Sequence, residues 1–506
     1  MGYQRAHGDM DLFIKVSLSA FSKYGLGRLF DTPHATHIHG LEVLSASKFL
    51  ETAGNGKLAS LLRTQSIFVR GSLLSSEPSN CNSHVDAINS CFRREVDPGA
   101  SLPKQGFPDL AANGEVRYLG VIDILDSPES CYGICFAHAE CTALDSVARI
   151  LSADSFSLTQ IPSSEPGPCA KGTSGGTGVD WHFVATARVS YDMGVAPHGF
   201  NTELYVVRGA VLIFFEGRGG DLSAVDYEVR SLGSFSGRLT DADTVCGLLM
   251  MSGDRFILRS GIPCMVVTLE PSVLSGSYFY STSTMDYSLW CSFHTFFRPT
   301  SVGHNPVPCV AAIQYQMLLY WHSVFAQPPE NLLSNPRGDV FWRHVPDITR
   351  IDGLVQLFSL FVAVNLGALM DGPRYIGSDV ADNTYGFLRK SQALEADIIR
   401  NLESCVSITA MDRKTTVKLT DLWDSFFVQQ NVDSVLSFLA QDLDNRQPVF
   451  EAVDTVRRGG SYVFGEELEL SLHASQCYTM EWCLYRHLSS SYMIELRYCS
   501  NQSDGI

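Results

Sequence analysis

Apolar positions along this chain change their spacing twice. Up to about residue 100 they recur every three to four residues, most clearly across Leu41–Leu62 (LEVLSASKFLETAGNGKLASLL). That is the stripe of an amphipathic helix, interrupted at Gly54-Asn55-Gly56. From Val184 to Thr284, β-branched and aromatic runs alternate with turn residues at short intervals, which predicts a sandwich or barrel. Helical spacing returns after about residue 300, over Cys309–Phe325, Leu354–Met370, Tyr385–Leu402, Leu419–Gln430 and Asp433–Leu443. The tail from Ser461 is ambiguous and leaves room for further strands.

Between these blocks, Pro98–Pro108 (PGASLPKQGFP) reads as a loop and Val116–Leu125 has strand character. Ser127-Pro128-Glu129 combines an N-cap with a first-turn proline and predicts a helix onward through CYGICFAHAECTALDSVARIL. Pro162–Val179 is the segment richest in Gly, Pro and Ser and predicts a surface loop. If the strand alternation runs on through Gly209, Tyr205, Val207, Val211 and Ile213 share one face. The expected class is α+β: a mainly helical region over 1–100, a β-domain with a preceding strand and helix over 101–300, and a mainly helical region over 301–506.

Composition narrows the functional classes. With 506 residues and 45% apolar content the chain can bury a large core. A net charge of −17 disfavours a phosphate-tracking surface, so no nucleic-acid partner is expected, while a basic protein partner would suit it. No basic run marks a nuclear-localisation or membrane-surface patch. The N-terminus has no charged region followed by an apolar stretch and a small-residue cleavage site, so no secretory signal is expected. Leu354–Met370 contains Gln356, Ser359, Asn365 and Gly367 and falls short of the roughly 20 apolar residues that span a membrane, which predicts a buried helix. Fourteen cysteines without a compact framework predict reduced thiols in an intracellular protein, nuclear or cytoplasmic.

Two blocks within the β-region carry a family resemblance. The first, 181–215, has W-x-x-x-A-T-A (Trp181, Ala185, Thr186, Ala187), then G-x-x-T (Gly199, Thr202), then the turn Gly209-Ala210. The second, 253–284, has R-x-x-x-P (Arg259, Pro263), then G-x-x-F-Y-x-T-S-T (Gly276, Phe279, Tyr280, Thr282, Ser283, Thr284). Together, covering about a fifth of the chain, they resemble fungal-type JmjC-domain proteins of the cupin and Fe(II)/2-oxoglutarate oxygenase superfamily. The resemblance implies a double-stranded β-helix (a jelly roll) flanked by helical regions.

The same resemblance implies where the chemistry should sit. The family's His-x-Asp pair falls on Gly194 and Ala196, its distal His on Cys264, and its basic 2-oxoglutarate anchor on Val211. Iron in this superfamily needs two imidazoles and a carboxylate, and Gly and Ala carry no donor atom. Four functional positions are lost together, so no catalytic residue, metal or cofactor is expected. Asp192, His198, His182 and Glu203 lie nearby as rescue ligands, but recruiting them needs a register slip that turns the strand's apolar residues to the wrong face. They read as solvent-facing polar residues beside a site without chemistry, and Cys264 as a small buried hydrophobe.

Other constellations carry less. Cys131, Cys135, His138 and Cys141 fall along one face of the predicted helix over nearly three turns, too spread for one tetrahedral ion. His34, His37 and His39 lack Cys or carboxylate partners, and Lys171–Gly178 lacks the G-K-[ST] end of a phosphate loop. No G-x-S-x-G or H-E-x-x-H motif is present. The expected function is a non-catalytic, JmjC-like binding or scaffold module. The competing expectations are an active Fe(II)/2-oxoglutarate hydroxylase or demethylase with relocated ligands, and an unrelated helical protein with a chance β-core.

Overall fold

The computed structural model describes residues 40–54, 57–71, 108–110, 116–118, 133–138, 151, 153, 180–187, 189–216, 245–262, 264–297, 310–326, 344–375, 378–410, 416–425 and 492–496. It begins with strand β1 (Leu41–Ser45), helices α1 (Ala46–Gly54) and α2 (Lys57–Thr64), and strand β2 (Ser66–Arg70). The Ser45 hydroxyl accepts the Lys48 amide at 3.2 Å and caps α1. Phe49, Ala53, Leu58 and Leu62 then form the apolar stripe that packs on Ile67 and Val69 of β2. The expected helices are present, but the region also contributes two parallel strands to a sheet. Leu41–Leu44 and Ile67–Val69 are short apolar runs, and a periodicity argument cannot separate such runs from helix.

The central strands are β3 (Pro108–Leu110), β4 (Val116–Tyr118), β5 (Gly133–His138), β6 (Asp180–Ala185), β7 (Ser190–Gly194), β8 (Asn201–Arg208), β9 (Ala210–Glu216), β10 (Val245–Met251), β11 (Arg255–Leu258), β12 (Cys264–Thr268) and β13 (Ser272–Phe279). A seven-stranded sheet has the order β1-β2-β11-β8-β13-β6-β5, and a four-stranded sheet the order β10-β9-β12-β7. Every pair except β1–β2 is antiparallel. From β6 to β13 the chain passes back and forth between the two sheets, with β9 and β10 as the single hairpin kept within one. Strands β3 and β4 pair with each other.

Side-chain alternation builds one interior between the sheets. Trp181, Phe183, Leu204, Val206 and Phe256 of the larger sheet share a buried cluster with Val211, Ile213, Phe215 and Val266 of the smaller. The expectation that Tyr205 and Val207 share a face with Val211 and Ile213 is therefore corrected. The chain turns at Gly209 and changes sheets, so Tyr205 and Val207 lie on the pleat opposite Leu204 and Val206. The helix predicted through Cys131–Leu151 is also corrected, because Gly133–His138 is an edge strand paired with β6. Its Ile, Cys and Phe suit a pleated surface, and tertiary pairing overrides the helix start upstream.

The described residues of the C-terminal half are mainly helical: α3 (Met285–Phe297), α4 (Val310–Phe325), α5 (Ile351–Tyr375), α6 (Ser378–Cys405) and α7 (Leu419–Ser425). Strands β14 (Val406–Ala410), β15 (Thr416–Val417) and β16 (Tyr492–Leu496) form a three-stranded sheet, so the tail does add a strand. The Asp433–Leu443 helix, the 162–179 loop and His34, His37 and His39 fall outside the described residues. Among the described residues no helix is long and apolar enough to cross a membrane. The chain is thus mixed α+β, with mostly antiparallel sheets and several helices.

Candidate functional site

Cys264 opens β12, where its cross-strand partner on β7 is Gly194 and its partner on β9 is Phe215. Directly opposed residues in antiparallel strands have Cα atoms about 4.5–5.5 Å apart. Val211 pairs with Thr268 at the far end of the same two strands, four residues along, or about 13 Å. Ala196 follows β7 by two residues. Ala196, Val211 and Cys264 belong to one interior cluster, none more than 8 % exposed. Gly194, Ala196 and Cys264 therefore lie at one end of the smaller sheet, and Val211 lies on the same interior face about 13 Å along it.

The surroundings leave that face apolar. Phe215 meets Phe256 of the opposite sheet at 5.0 Å between ring centroids, and Ile213 and Val266 fill the rungs between Cys264 and Val211. Alanine and valine offer no lone pair, and a single thiol does not make a ligand set for a hard or borderline metal. Among the described residues no group of three or more His, Cys, Asp or Glu side chains is placed to hold a metal ion.

The four neighbouring polar residues are dispersed. His182 lies between Trp181 and Phe183 on β6, and since those two face the interior, His182 takes the opposite pleat. Glu203 takes the same outer pleat on β8, where it accepts from Arg255 Nη1 at 2.8 Å. The Arg255 guanidinium also lies over the Tyr205 ring, 4.1 Å from its centroid. His182 and Glu203 are each 2 % exposed, which corrects the expectation that they face solvent. Asp192 is placed by register opposite Met265. His198 sits in the 197–199 turn with φ 51°, and its carbonyl accepts from Tyr280 Oη at 2.8 Å and Ser292 Oγ at 2.7 Å. Of the other sequence candidates, Cys135 and His138 lie on strand β5, while Cys131, Cys141 and 171–178 lie outside the described residues.

Residues of the two sequence blocks have structural roles. Trp181 is the register partner of Gly276, and its indole lies where a Cβ would be, 2.1 Å from the nearest ring atoms. Gly199 has φ 72°, and a Cβ there would stand 1.8 Å from the Ser288 carbonyl oxygen of α3, so only glycine lets that helix approach the turn. Asn201 is the hub between the two blocks. Its Nδ2 donates to Thr284 Oγ1 at 2.9 Å and to the Phe279 carbonyl at 3.3 Å, while its Oδ1 accepts the Ser260 amide at 2.9 Å. Sequence reasoning missed Asn201 and the Glu203–Arg255 pair. The only hint was that Asn201 falls inside the G-x-x-T stretch.

Comparison with protein-family models and with curated proteins returns no match for the chain.

Proposed function

We propose that strands β6–β13 form a JmjC-like double-stranded β-helix that has lost its iron chemistry, and that the protein acts as a non-catalytic binding or scaffold module. Support for the fold comes from eight consecutive strands wound between two facing sheets, the arrangement of a jelly roll. The observation that carries the functional half is the pairing of Cys264 with Gly194 on the face that also bears Val211. By register Gly194 lies beside Cys264 and Val211 lies on the same face about 13 Å along it, and none of Gly194, Ala196, Val211 and Cys264 carries an imidazole, carboxylate or ammonium group. Exchanging His, Asp and Lys for Gly, Ala and Val removes polar groups that would be costly to bury unpaired. The interior then holds together without a metal. With a net charge of −17, a basic polypeptide is the partner class the surface favours.

Thermal melts test this reading. Protein purified without chelator should melt at the same temperature with EDTA as with Fe(II) and 2-oxoglutarate, and should release no succinate. A large metal-dependent rise in Tm, or iron at one equivalent per chain, would instead favour an oxygenase with relocated ligands and sink the proposal.

A further inference from the structure

Helices α5 and α6 pack along each other and enclose one polar pair. Asn365 of α5 is 1 % exposed and Glu395 of α6 is 2 % exposed. The buried stripe of α6 runs Ser391, Glu395, Ile398, Ile399, Leu402, so the carboxyl occupies a core position of an amphipathic helix. Asn365 Nδ2 lies 2.9 Å from both Glu395 oxygens and 2.8 Å from the Phe361 carbonyl, which commits both of its hydrogens.

Among the described residues, the charges on the elements around the pair are engaged elsewhere or exposed. On α4, His322 faces Asp397 at 3.8 Å, and Arg400 of α6 holds the same Asp397 at 2.8 Å. Asp352 of α5 pairs with Arg350. Lys390 of α6 and Asp421 of α7 are exposed, Glu403 of α6 accepts from Thr420, and β14 carries no charge. Among the described residues no cation is within ion-pair distance of Glu395.

Two independent features then point the same way. A carboxylate held by one neutral amide in a core position is disfavoured relative to its protonated form. Separately, Asn365 Oδ1 is buried without a donor among the described residues. One proton answers both: a carboxylic O–H can donate to Oδ1 while Nδ2–H donates to the other carboxyl oxygen. We propose that Glu395 is protonated in the folded protein and closes a cyclic amide–acid pair with Asn365, making the α5–α6 contact a proton-dependent latch. Burial pushes the Glu395 carboxyl well above the usual carboxylate range, and the Asn365 hydrogen bond offsets only part of that. The latch is fully present below the ordinary carboxylate range and is lost as pH rises through the raised folded value. Helix α5 also lies on α3, whose Ser292 hydroxyl donates to the His198 carbonyl in the 197–199 turn beside Ala196.

Infrared difference spectra and pH-dependent melts of the full chain test the latch. At neutral pH the wild type should show a protonated carboxyl band that Glu395→Gln removes. As pH rises from the ordinary carboxylate range to the raised folded value, the wild-type Tm should fall relative to Glu395→Gln, and amide-exchange protection in α5 and α6 should drop by up to about tenfold per pH unit, levelling off above the folded value. Parallel melting curves for the two proteins would overturn the proposal. Absence of the protonated band in the wild type would overturn it too, whether or not the variant folds.

Discussion

Gly276 matters for what it lacks. The Trp181 indole occupies the space of its missing Cβ, so the aromatic ring of one motif block lies flat on the backbone of the other. Gly276→Ala forces the ring or the strand to move, and overpacking of this kind costs about 1–3 kcal/mol. Urea denaturation should show that loss with an unchanged m-value, and a variant as stable as wild type would mean that Trp181 can move aside freely. Asn201 illustrates the opposite situation. Its side chain joins β8, the β11–β12 connection and the 282–284 turn, and no spacing rule marks a residue whose partners are about sixty to eighty positions away. The motif glycines and the tryptophan were legible because their pattern is local. The hydrogen-bond hub was not, because it exists only once the strands have been brought together.

At the scale of elements, the larger sheet carries a buried ion pair on a face that is otherwise mostly apolar. Glu203 on β8 and Arg255 on β11 lie diagonally across neighbouring strands, and Tyr205 stacks under the guanidinium. Removing one partner leaves an uncompensated buried charge, so Glu203→Leu or Arg255→Met alone should cost about 3–5 kcal/mol. The double variant should recover much of that loss, and additivity in the cycle would show that the two side chains do not couple. The sequence indicated the β-region and the major C-terminal helices α4, α5 and α6 because their periods are long and regular. It misplaced β5, which reads as helix from its upstream cap, and merged β8 with β9, because a turn at Gly209 keeps the alternation while changing the sheet. It also could not reveal that His182 and Glu203 lie on the outer pleat, which depends on which neighbours face inward.

At the scale of the whole molecule, the described helical flanks are tied to the β-core through one polar network. Arg63 of α2 holds Asp286 of α3 at 3.2 Å and the Ser283 carbonyl at 3.1 Å, and its own carbonyl accepts from Arg259 Nη1 at 2.7 Å. Asp286 in turn accepts from Gln356 of α5 at 3.0 Å. The three regions drawn from the spacing of apolar positions are therefore in direct contact at this point. Arg63→Ala should cost about 1.5–3 kcal/mol, the range for a hydrogen bond to a charged group. It should also speed proteolytic release of the segment containing α1 and α2. Unchanged cleavage kinetics would mean that the apolar stripe of those helices holds them alone.

The position of β2 in the larger sheet has a consequence for how the chain is made. Strand β2 pairs with β1 on one side and with β11 on the other, and β13 must be in place before β6 and β8 are joined. On a ribosome adding about 5–20 residues per second, the roughly 200 residues between β2 and β13 take on the order of 10–40 s to appear. Until β11 has been made, late in that interval, Ile67 and Val69 have only β1 to pair with. The topology gives the nascent chain a long period with an open apolar edge, when a holding chaperone has most to bind.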